Sequence, residues 1–386
     1  MDHFRGGIMN IDNIFSNTYE ESREKFRAKY QYLKSLWPDT KIESHSVIES
    51  EDLSIDIITA SPKKCYDRLL IVTTGLHGIE GYVGAAMLNL LIDEYLNKFD
   101  HDSTGIVLIH AINPWGMKHK RRTNENNVDL NRNFIWQWSE LEETLNKDYP
   151  RIESFLNPQK PYRNKFWGEL SFYFGFLRAL IKIGLGSFKN APILGQYQFP
   201  AGIYYGGQGY EDSSKLMIDL YRKHIKDYQR ILHLDIHTGY GPDNQMSIVN
   251  SVLEKRSSEE LKEHFKYPLV QKTDSEEFYK IEGDMIDFLY KLNQMEFKGK
   301  QFYSATFEFG TYGDSTISAL KSLQAIIEEN RLYRSGAKHA KDAEQIRENF
   351  LDLFAPRSEY WRRKAITDFQ QGLSGILTSE GYYLNS

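Results

Sequence analysis

Cysteine is almost absent from this chain of 386 residues, and its absence limits the kinds of site that the chain can hold. The one cysteine, Cys65, cannot form a disulfide within the chain, and zinc sites built from several cysteines are excluded. Any bound metal must therefore be held by histidine and carboxylate side chains. A single cysteine is also typical of proteins from reducing compartments.

Three other features are missing, and each absence disfavours a class of protein. The net charge is −5 and the pI about 6.2, so the strongly basic face typical of nucleic-acid-binding proteins is not expected. The N-terminal residues lack the basic start and apolar region of a secretory signal, and we expect a cytoplasmic location. The G-x-S-x-G motif of many serine hydrolases is also absent.

A long uninterrupted apolar run is missing as well. The most apolar segment, residues 166–186, carries Glu169, Arg178 and Lys182 where a membrane span would be continuous. We therefore expect no membrane span and predict a largely buried or amphipathic helix. A helix that contacts a membrane surface or a partner protein is the alternative.

The apolar pattern predicts an α/β fold. Apolar, β-branched runs bounded by glycine or proline predict buried strands at residues 68–75, 105–113, 230–239 and 302–310. Helical apolar spacing at residues 81–99 places a helix between the first two strands, which makes a βαβ unit. We therefore expect a mixed, largely parallel twisted sheet with helices on both faces.

No repeat, low-complexity tract or clear linker divides the chain. We predict a single catalytic domain over residues 1–386, with an insertion at about 140–200 and a mostly helical region from about 316.

Polar residues stand at the carboxyl ends of the predicted strands, where open α/β sheets bind ligands. His77 and Glu80 follow the first strand, and a histidine with a carboxylate is an ordinary zinc pair. After the third strand, His237 is the best third ligand, Asp235 can orient it, and His233 is expected in the core. Taken alone, His77 and Glu80 also fit a plain helix start with an acidic first turn.

Glu308 lies at the end of the fourth strand, inside an apolar run. A buried carboxylate is costly without a partner or a function. Beside a metal-activated water it would be a general base, whereas the alternative is a structural ion pair.

The segment "NVDLNRNF", residues 127–134, is rich in groups that can bind an anion. Arg132 can hold a carboxylate through two parallel hydrogen bonds, and Asn131 can donate from its amide. Upstream, Arg121 or Arg122 can stabilise an oxyanion. Taken alone, this basic run could equally be a solvated surface.

The ordered set "HGIE", "RRTNENNVDLNRNF", "DIHTG" and "FEFG" resembles the zinc metallocarboxypeptidases of the carboxypeptidase A type. It is most similar to a bacterial branch known mainly as a domain of unknown function. The resemblance implies a zinc-exopeptidase-like fold of three layers, α/β/α, with one Zn²⁺ per chain. It implies that His77, Glu80 and His237 are the zinc ligands and that Glu308 is the general base.

The same resemblance implies roles for the polar loop. Arg122 would stabilise the oxyanion, with Arg121 as the fallback, and Asn131 and Arg132 would bind the terminal carboxylate of the substrate. Carboxypeptidases also place a tyrosine shortly before the general base. The candidates in this chain are Tyr267, Tyr279, Tyr290 and Tyr303.

The implied activity is zinc-dependent removal of a C-terminal residue from small peptides or peptidoglycan-like fragments. Deacylases of N-acyl amino acids, of the aspartoacylase and succinylglutamate desuccinylase kind, are similar at the same positions. They usually carry Asn where Ile79 stands here, which favours the peptidase. A third hypothesis is a binding protein that retained the site and lost catalysis.

Overall fold

The computed structural model describes residues 11–141, 146–273 and 282–383, and its centre is an eight-stranded sheet. The strands are β1 (Thr40–Ile48), β2 (Leu53–Ala60), β3 (Arg68–Thr74), β4 (Thr104–His110), β5 (Arg230–Gly239), β6 (Met246–Asn250), β7 (Val270–Lys272) and β8 (Gln301–Gly310). Their order across the sheet is β1-β2-β4-β3-β5-β8-β6-β7.

The centre of the sheet is parallel and its flanks are antiparallel. Strands β4, β3, β5 and β8 are neighbours that run in parallel, whereas β1, β2 and β6 join the sheet in antiparallel pairs. The predicted mixed, largely parallel sheet is confirmed. The four predicted strands are its four parallel central ones, because strands covered on both faces have continuous apolar sequences.

Helices lie on both sides of the sheet. The described helices are α1 (Ile11–Ile14), α2 (Tyr19–Leu36), α3 (Gly81–Glu94), α4 (Pro114–Lys118), α5 (Tyr149–Leu156), α6 (Lys165–Asn190), α7 (Asp212–Ile225), α8 (Ser258–Phe265), α9 (Met285–Glu296), α10 (Thr316–Ser335), α11 (Ala340–Phe354) and α12 (Glu359–Ser379).

Alternate residues of the central strands face two separate cores. On β3, Leu70 and Val72 belong to the core under α2, α3 and the C-terminal helices. Leu69 and Ile71 point to the opposite core, under α7 and α9. This period of two is what a strand covered on both faces requires, and the predicted three-layer arrangement follows from it.

Helix α6 departs from its prediction. It was expected to be largely buried or amphipathic, yet its buried residues are only Gly168, Phe172, Ala179 and Phe188. By length and composition, α6 is the single helix in the described part of the chain that could cross a membrane. The expectation of a largely buried helix is therefore wrong, because the insertion offers this helix a protein surface on one side only.

Candidate metal centre and active site

The candidate site forms where the parallel strands end. The backbone leaves β3 through Gly75 at φ 64°, a left-handed conformation that favours glycine, and then forms a 3-10 turn over Gly78–Glu80. His77 immediately precedes this turn. Strands β5 and β8 pair in parallel so that His237 lies opposite Glu308.

The loop after β4 is fastened to the 3-10 turn by its backbone. Gly78 N–H donates to the carbonyl of Arg122 at 3.1 Å, and Ile79 N–H donates to that of Arg121 at 2.8 Å. A Cβ on Gly78 would lie 2.1 Å from the carbonyl carbon of Gly116, so only glycine permits this approach. The motifs "HGIE" and "RRTN" are therefore one structural unit.

His77, Glu80 and His237 form a buried cluster whose ligand atoms all lie within 4.8 Å of one another. His77 Nδ1 is 2.9 Å from Glu80 Oε1, and His237 Nδ1 is 3.0 Å from Glu80 Oε2. The two Nδ1 atoms are 3.1 Å apart. Two imidazole nitrogens and a carboxylate are an ordinary donor set for zinc, so the residues fit that metal.

Each histidine of the cluster has a carboxylate at its Nε2 atom, on the side of the ring away from the cluster. Asp235 Oδ2 lies 2.6 Å from His237 Nε2, which is the contact expected from the sequence. Asp129 Oδ1 lies 3.1 Å from His77 Nε2, and sequence reasoning assigned no role to Asp129. These carboxylates turn both Nδ1 atoms toward the cluster, as the outer partners of metal-binding histidines do. The sequence did contain one sign of this role: Asp129 is the single acidic residue in residues 127–134, a segment otherwise rich in groups that can bind an anion.

Arg122 lies beside the cluster. Its Nε donates to Asp129 at 3.0 Å, and its Nη1 donates to Glu80 Oε1 at 3.1 Å. The guanidinium also lies over the ring of Tyr204, 5.4 Å from the centroid. Arg122 therefore places a fixed positive charge next to the proposed ligand Glu80.

The buried charges of the site perturb each other strongly. Burial alone would raise the pKa of Glu80, but His77 and His237 hold that pKa well below its usual range. Burial likewise opposes the ionised form of Asp129, yet Arg122 and His77 keep its pKa well below the ordinary value. Both carboxylates are therefore ionised at neutral pH.

Glu308 reaches the same region from the neighbouring strand. Its Oε1 accepts a hydrogen bond from the backbone N–H of Tyr240 at 3.0 Å. Burial, with repulsion from Glu80, raises the pKa of Glu308 to about 8. Among the described residues, Glu308 has no salt-bridge partner, so the alternative of a structural ion pair receives no support.

Arg132 and Asn131 are more engaged than the sequence suggested. Arg132 donates to the carbonyls of Asn131 and Ile193 at 2.9 and 2.7 Å, while its buried Nε has no partner among the described residues. The Asn131 amide donates to Asp284 at 2.9 Å and accepts from the backbone N–H of Met285. In this conformation the side chain of Asn131 connects the loop to the start of α9.

Arg121 points away from the cluster. Its Nε donates to Glu329 at 2.9 Å, and its guanidinium stacks 3.7 Å from the ring centroid of Tyr333. These contacts fasten the loop to α10. Of the two candidate arginines, the geometry favours Arg122 for a role next to the His77, Glu80 and His237 cluster.

The tyrosines closest to the site are not those that the sequence suggested. The hydroxyls of Tyr204 and Tyr240 are 2.5 Å apart, and the guanidinium of Arg122 lies over the ring of Tyr204. Tyr267, Tyr290 and Tyr303 instead bond to Met246, Glu254 and Asn250 respectively. Tyr279 lies outside the described residues. No local pattern distinguishes Tyr204, because it comes to the site from a segment that is far from the other site residues in sequence.

His233 is a core histidine, as predicted. It is fully buried and contacts the hydroxyls of Thr73 and Ser304 at 3.0 and 2.8 Å. Burial lowers the pKa of His233 to about 4, so it is neutral at physiological pH.

Comparison with known proteins places the chain in a family. A family model described as "Protein of unknown function (DUF2817)" matches residues 15–368. The chain belongs to this family. The predicted similarity to a branch known as a domain of unknown function is confirmed by this match. No curated protein matches the DUF2817 chain at a significant level.

Several solved structures are similar to this DUF2817 protein. Bovine thrombin-activatable fibrinolysis inhibitor, solved with tick carboxypeptidase inhibitor, is 17% identical, with 87% of this chain and 99% of that chain covered and a TM-score of 0.45. Carboxypeptidase A from Helicoverpa armigera is 16% identical, with 88% and 74% covered and a TM-score of 0.44. Murein-tripeptide amidase from Escherichia coli O157 is 17% identical, with 75% and 92% covered and a TM-score of 0.37. At these values the similarities do not identify an activity for this chain.

Proposed function

We propose that this protein is a zinc-dependent hydrolase, a metallocarboxypeptidase that removes the C-terminal residue from small peptides or peptidoglycan-like fragments. One observation carries the proposal. His77 and His237 both turn Nδ1 toward Glu80, and Glu308 stands opposite His237 on the next strand. Three ligands beside a carboxyl that has no salt-bridge partner among the described residues match the requirements of metal-assisted hydrolysis.

The proposed chemistry divides between the metal and the chain. A Zn²⁺ held by His77, Glu80 and His237 would polarise the scissile carbonyl and acidify water. Glu308 takes a proton from the attacking water at a carboxylate oxygen and returns it to the leaving amine. Burial and repulsion from Glu80 raise the pKa of Glu308 in the metal-free chain, and a cation bound beside it would lower that pKa toward the range of a general base.

Two arginines are proposed to bind the negatively charged groups of the reaction, the oxyanion and the substrate carboxylate. Arg122 is fixed by Asp129 and Glu80, so its charge is preorganised for the oxyanion that forms on the scissile carbonyl. Arg132 retains one buried Nε without a partner among the described residues and is the better candidate for the substrate carboxylate. Asn131 would have to release Asp284 before its amide could contribute.

The proposed substrates are small because the site is enclosed. The proposed zinc ligands and the two arginines are all buried: His77, Glu80, His237, Arg122 and Arg132. A short peptide end or a single amide can enter such a site, whereas a folded protein surface cannot. The substrate is proposed as a peptide-like small molecule, and we retain a cytoplasmic location as part of the proposal.

The test is the variant Glu308→Gln, assayed on dipeptides together with measurement of bound zinc. We expect hydrolysis to fall by at least about 10²-fold, the scale of general-base catalysis, while zinc content stays at the wild-type level. Glu328→Gln is the matched control, because Glu328 is also a buried glutamate but lies on α10 and bonds to Gln324. Full activity in Glu308→Gln would refute the mechanism.

The substrate class is decided by a second panel. Dipeptides and N-acyl amino acids that share the same C-terminal residue are compared as substrates of the wild-type protein. Cleavage confined to the N-acyl amino acids would replace the carboxypeptidase by a deacylase. Binding of both sets without any cleavage would instead indicate a protein that retained the site and lost catalysis.

A further inference from the structure

Helix α6 presents a continuous apolar surface to solvent. Six of its large apolar side chains are between 48% and 77% exposed. We call them the α6 stripe: Phe166, Leu170, Tyr173, Phe174, Leu177 and Ile181. Isolated exposed apolar residues are ordinary, but a contiguous row of this kind marks an interaction surface.

The α6 stripe lies on the side of the helix that faces away from the protein. Its members are spaced by three or four residues, or are adjacent, so at 100° per residue they share one face. The opposite face is already occupied, since Phe172 and Ala179 are buried and Phe172 packs 5.4 Å from Phe155 of α5. Within the described fold, the rest of the protein packs on the other face of α6, and the α6 stripe is left in solvent.

The charges around the α6 stripe are predominantly positive. Helix α6 itself carries four lysines and arginines, Lys165, Arg178, Lys182 and Lys189, against one acidic residue, Glu169, in a chain whose net charge is −5. The guanidinium of Arg178 lies 5.7 Å from the ring centroid of Phe174. The guanidinium of Arg163 lies 5.0 Å from the ring centroid of Trp167. Glu169 has Lys165 at 3.9 Å. Cations thus border the apolar row directly.

This combination matches one occupant better than the alternatives. An apolar row with bulky aromatic residues, bordered by lysine and arginine, is typical of helices that lie in the plane of an anionic membrane surface. A second copy of the chain would bring two positively charged segments together, which their repulsion opposes. A transmembrane orientation would carry Glu169, Arg178 and Lys182 into the hydrocarbon and expose Phe172 after removing it from α5.

We propose that α6 binds the surface of an anionic lipid bilayer, with the α6 stripe inserted among the headgroups and the flanking cations paired with phosphates. The helix would lie parallel to the membrane, since its buried face keeps it packed on α5. The inference does not depend on the proposed hydrolase activity.

The experiment is flotation of the purified full chain with vesicles, without substrate. Vesicles of phosphatidylcholine alone are compared with vesicles that also contain phosphatidylglycerol. We expect wild-type protein to float with the anionic vesicles, and the double variant Phe174→Ser, Leu177→Ser to bind at least about tenfold more weakly. Arg178→Glu with Lys182→Glu should weaken binding to the anionic vesicles, and added salt should do the same.

The matched control is the double variant Met295→Ser, Tyr360→Ser. Both residues are exposed, at 63% and 69%, but they lie on α9 and α12. This control should float like wild type. Equal loss of binding in the control and the stripe variant would overturn the proposal, as would failure of wild-type protein to bind anionic vesicles.

A second readout locates the contact and tests the competing occupant. Brominated lipids should quench the fluorescence of Trp167, which is 44% exposed beside the stripe, and Trp167→Phe should remove that component while flotation persists. If wild type instead self-associates in vesicle-free solution, ignores vesicles, and becomes monomeric in the stripe variant, the surface belongs to a second copy and the membrane proposal is wrong.

Discussion

At the residue scale, the most informative feature is the direction of the two histidine rings. Asp129 and Asp235 each occupy the Nε2 side of one ring, which leaves Nδ1 for the cluster. The same Asp129 also accepts from Arg122, so one carboxylate orients a proposed metal ligand and a proposed oxyanion-binding group. Its charge links the metal site to the loop that follows β4.

Asp235→Asn tests the orienting contact. The substitution preserves size but removes the negative charge behind His237, so we expect zinc affinity to fall by 10- to 100-fold, roughly the cost of losing such a partner. Affinity is measured by competition with a chromophoric chelator. Asp56→Asn is the control, because Asp56 is equally buried but lies on β2 and pairs with Arg27 of α2. Unchanged affinity in Asp235→Asn would contradict the orienting role.

The neighbouring arginines should behave differently when each is replaced by lysine. Arg122→Lys keeps a charge but loses the fork that joins Asp129 to Glu80, so kcat should fall about 10²-fold. Arg121→Lys should mainly lower stability, because Arg121 contacts Glu329 and Tyr333. Steady-state kinetics and urea unfolding separate the two effects. A greater loss of kcat in Arg121→Lys would reverse the assignment.

At the scale of elements, the site depends on adjacent parallel strands that end together. The turn after β3 and the end of β5 supply the cluster, β8 supplies Glu308, and β4 is followed by the loop with Arg122. Strand β4 is also joined to α2 at its carboxyl end: Nε2 of His110, the last residue of the strand, lies 2.8 Å from Ser22 Oγ, and the ring of His110 stacks on Phe26. This contact holds α2 against the sheet.

The contact between β4 and α2 should make stability depend on pH. Burial lowers the pKa of His110 to about 4, against about 6.5 when the chain is unfolded. The folded state therefore favours neutral imidazole, and its contribution to the free energy of unfolding is present above pH 6.5 and is lost as pH falls toward 4. The loss amounts to at most about 3 kcal/mol.

The measurement is urea unfolding at several pH values for wild type and His110→Gln. The variant should lose less stability than wild type between pH 6.5 and 4, since it has no imidazole at this position to protonate. His233 has the same sign of shift and remains in both proteins, so it cancels in the comparison. Parallel curves for the two proteins would show that His110 does not contribute.

At the scale of the whole molecule, metal binding and folding should be coupled. The cluster joins a turn after β3 to the end of β5, which are distant in sequence and close only in the folded chain. A ligand that binds only the folded state stabilises it by mass action, by about 4 kcal/mol at a thousandfold excess over Kd.

Zinc should therefore raise the melting temperature of the wild-type protein, and a chelator should reverse the rise. His77→Ala should melt at a temperature that neither zinc nor chelator changes, because one of the proposed ligands is gone. Differential scanning calorimetry with and without the metal makes the comparison. A zinc-dependent shift that persists in His77→Ala would place the metal elsewhere.

The sequence predicted the centre of the fold well and its edges poorly. The central strands were recognisable because burial on both faces demands continuous apolar runs. Strand β1, "TKIESHSVI", is half exposed and mixes polar with apolar residues, so its pattern did not stand out. For α6 the sequence favoured a largely buried or amphipathic helix and left a membrane or partner contact as the alternative, since apolar composition does not reveal whether a partner surface exists.

By itself, the sequence determined which residue types were available for chemistry, that His77 and Glu80 follow one central strand, and that His237 and Glu308 stand near the ends of two others. That much is local, because strand ends and turns are encoded by apolar runs and glycines. Only the tertiary structure decided that Asp129 stands behind His77, that Arg122 faces the cluster while Arg121 faces α10, and that Tyr204 joins the site. Those choices depend on which loops pack together, and packing between segments far apart in the chain leaves no periodic pattern in the sequence.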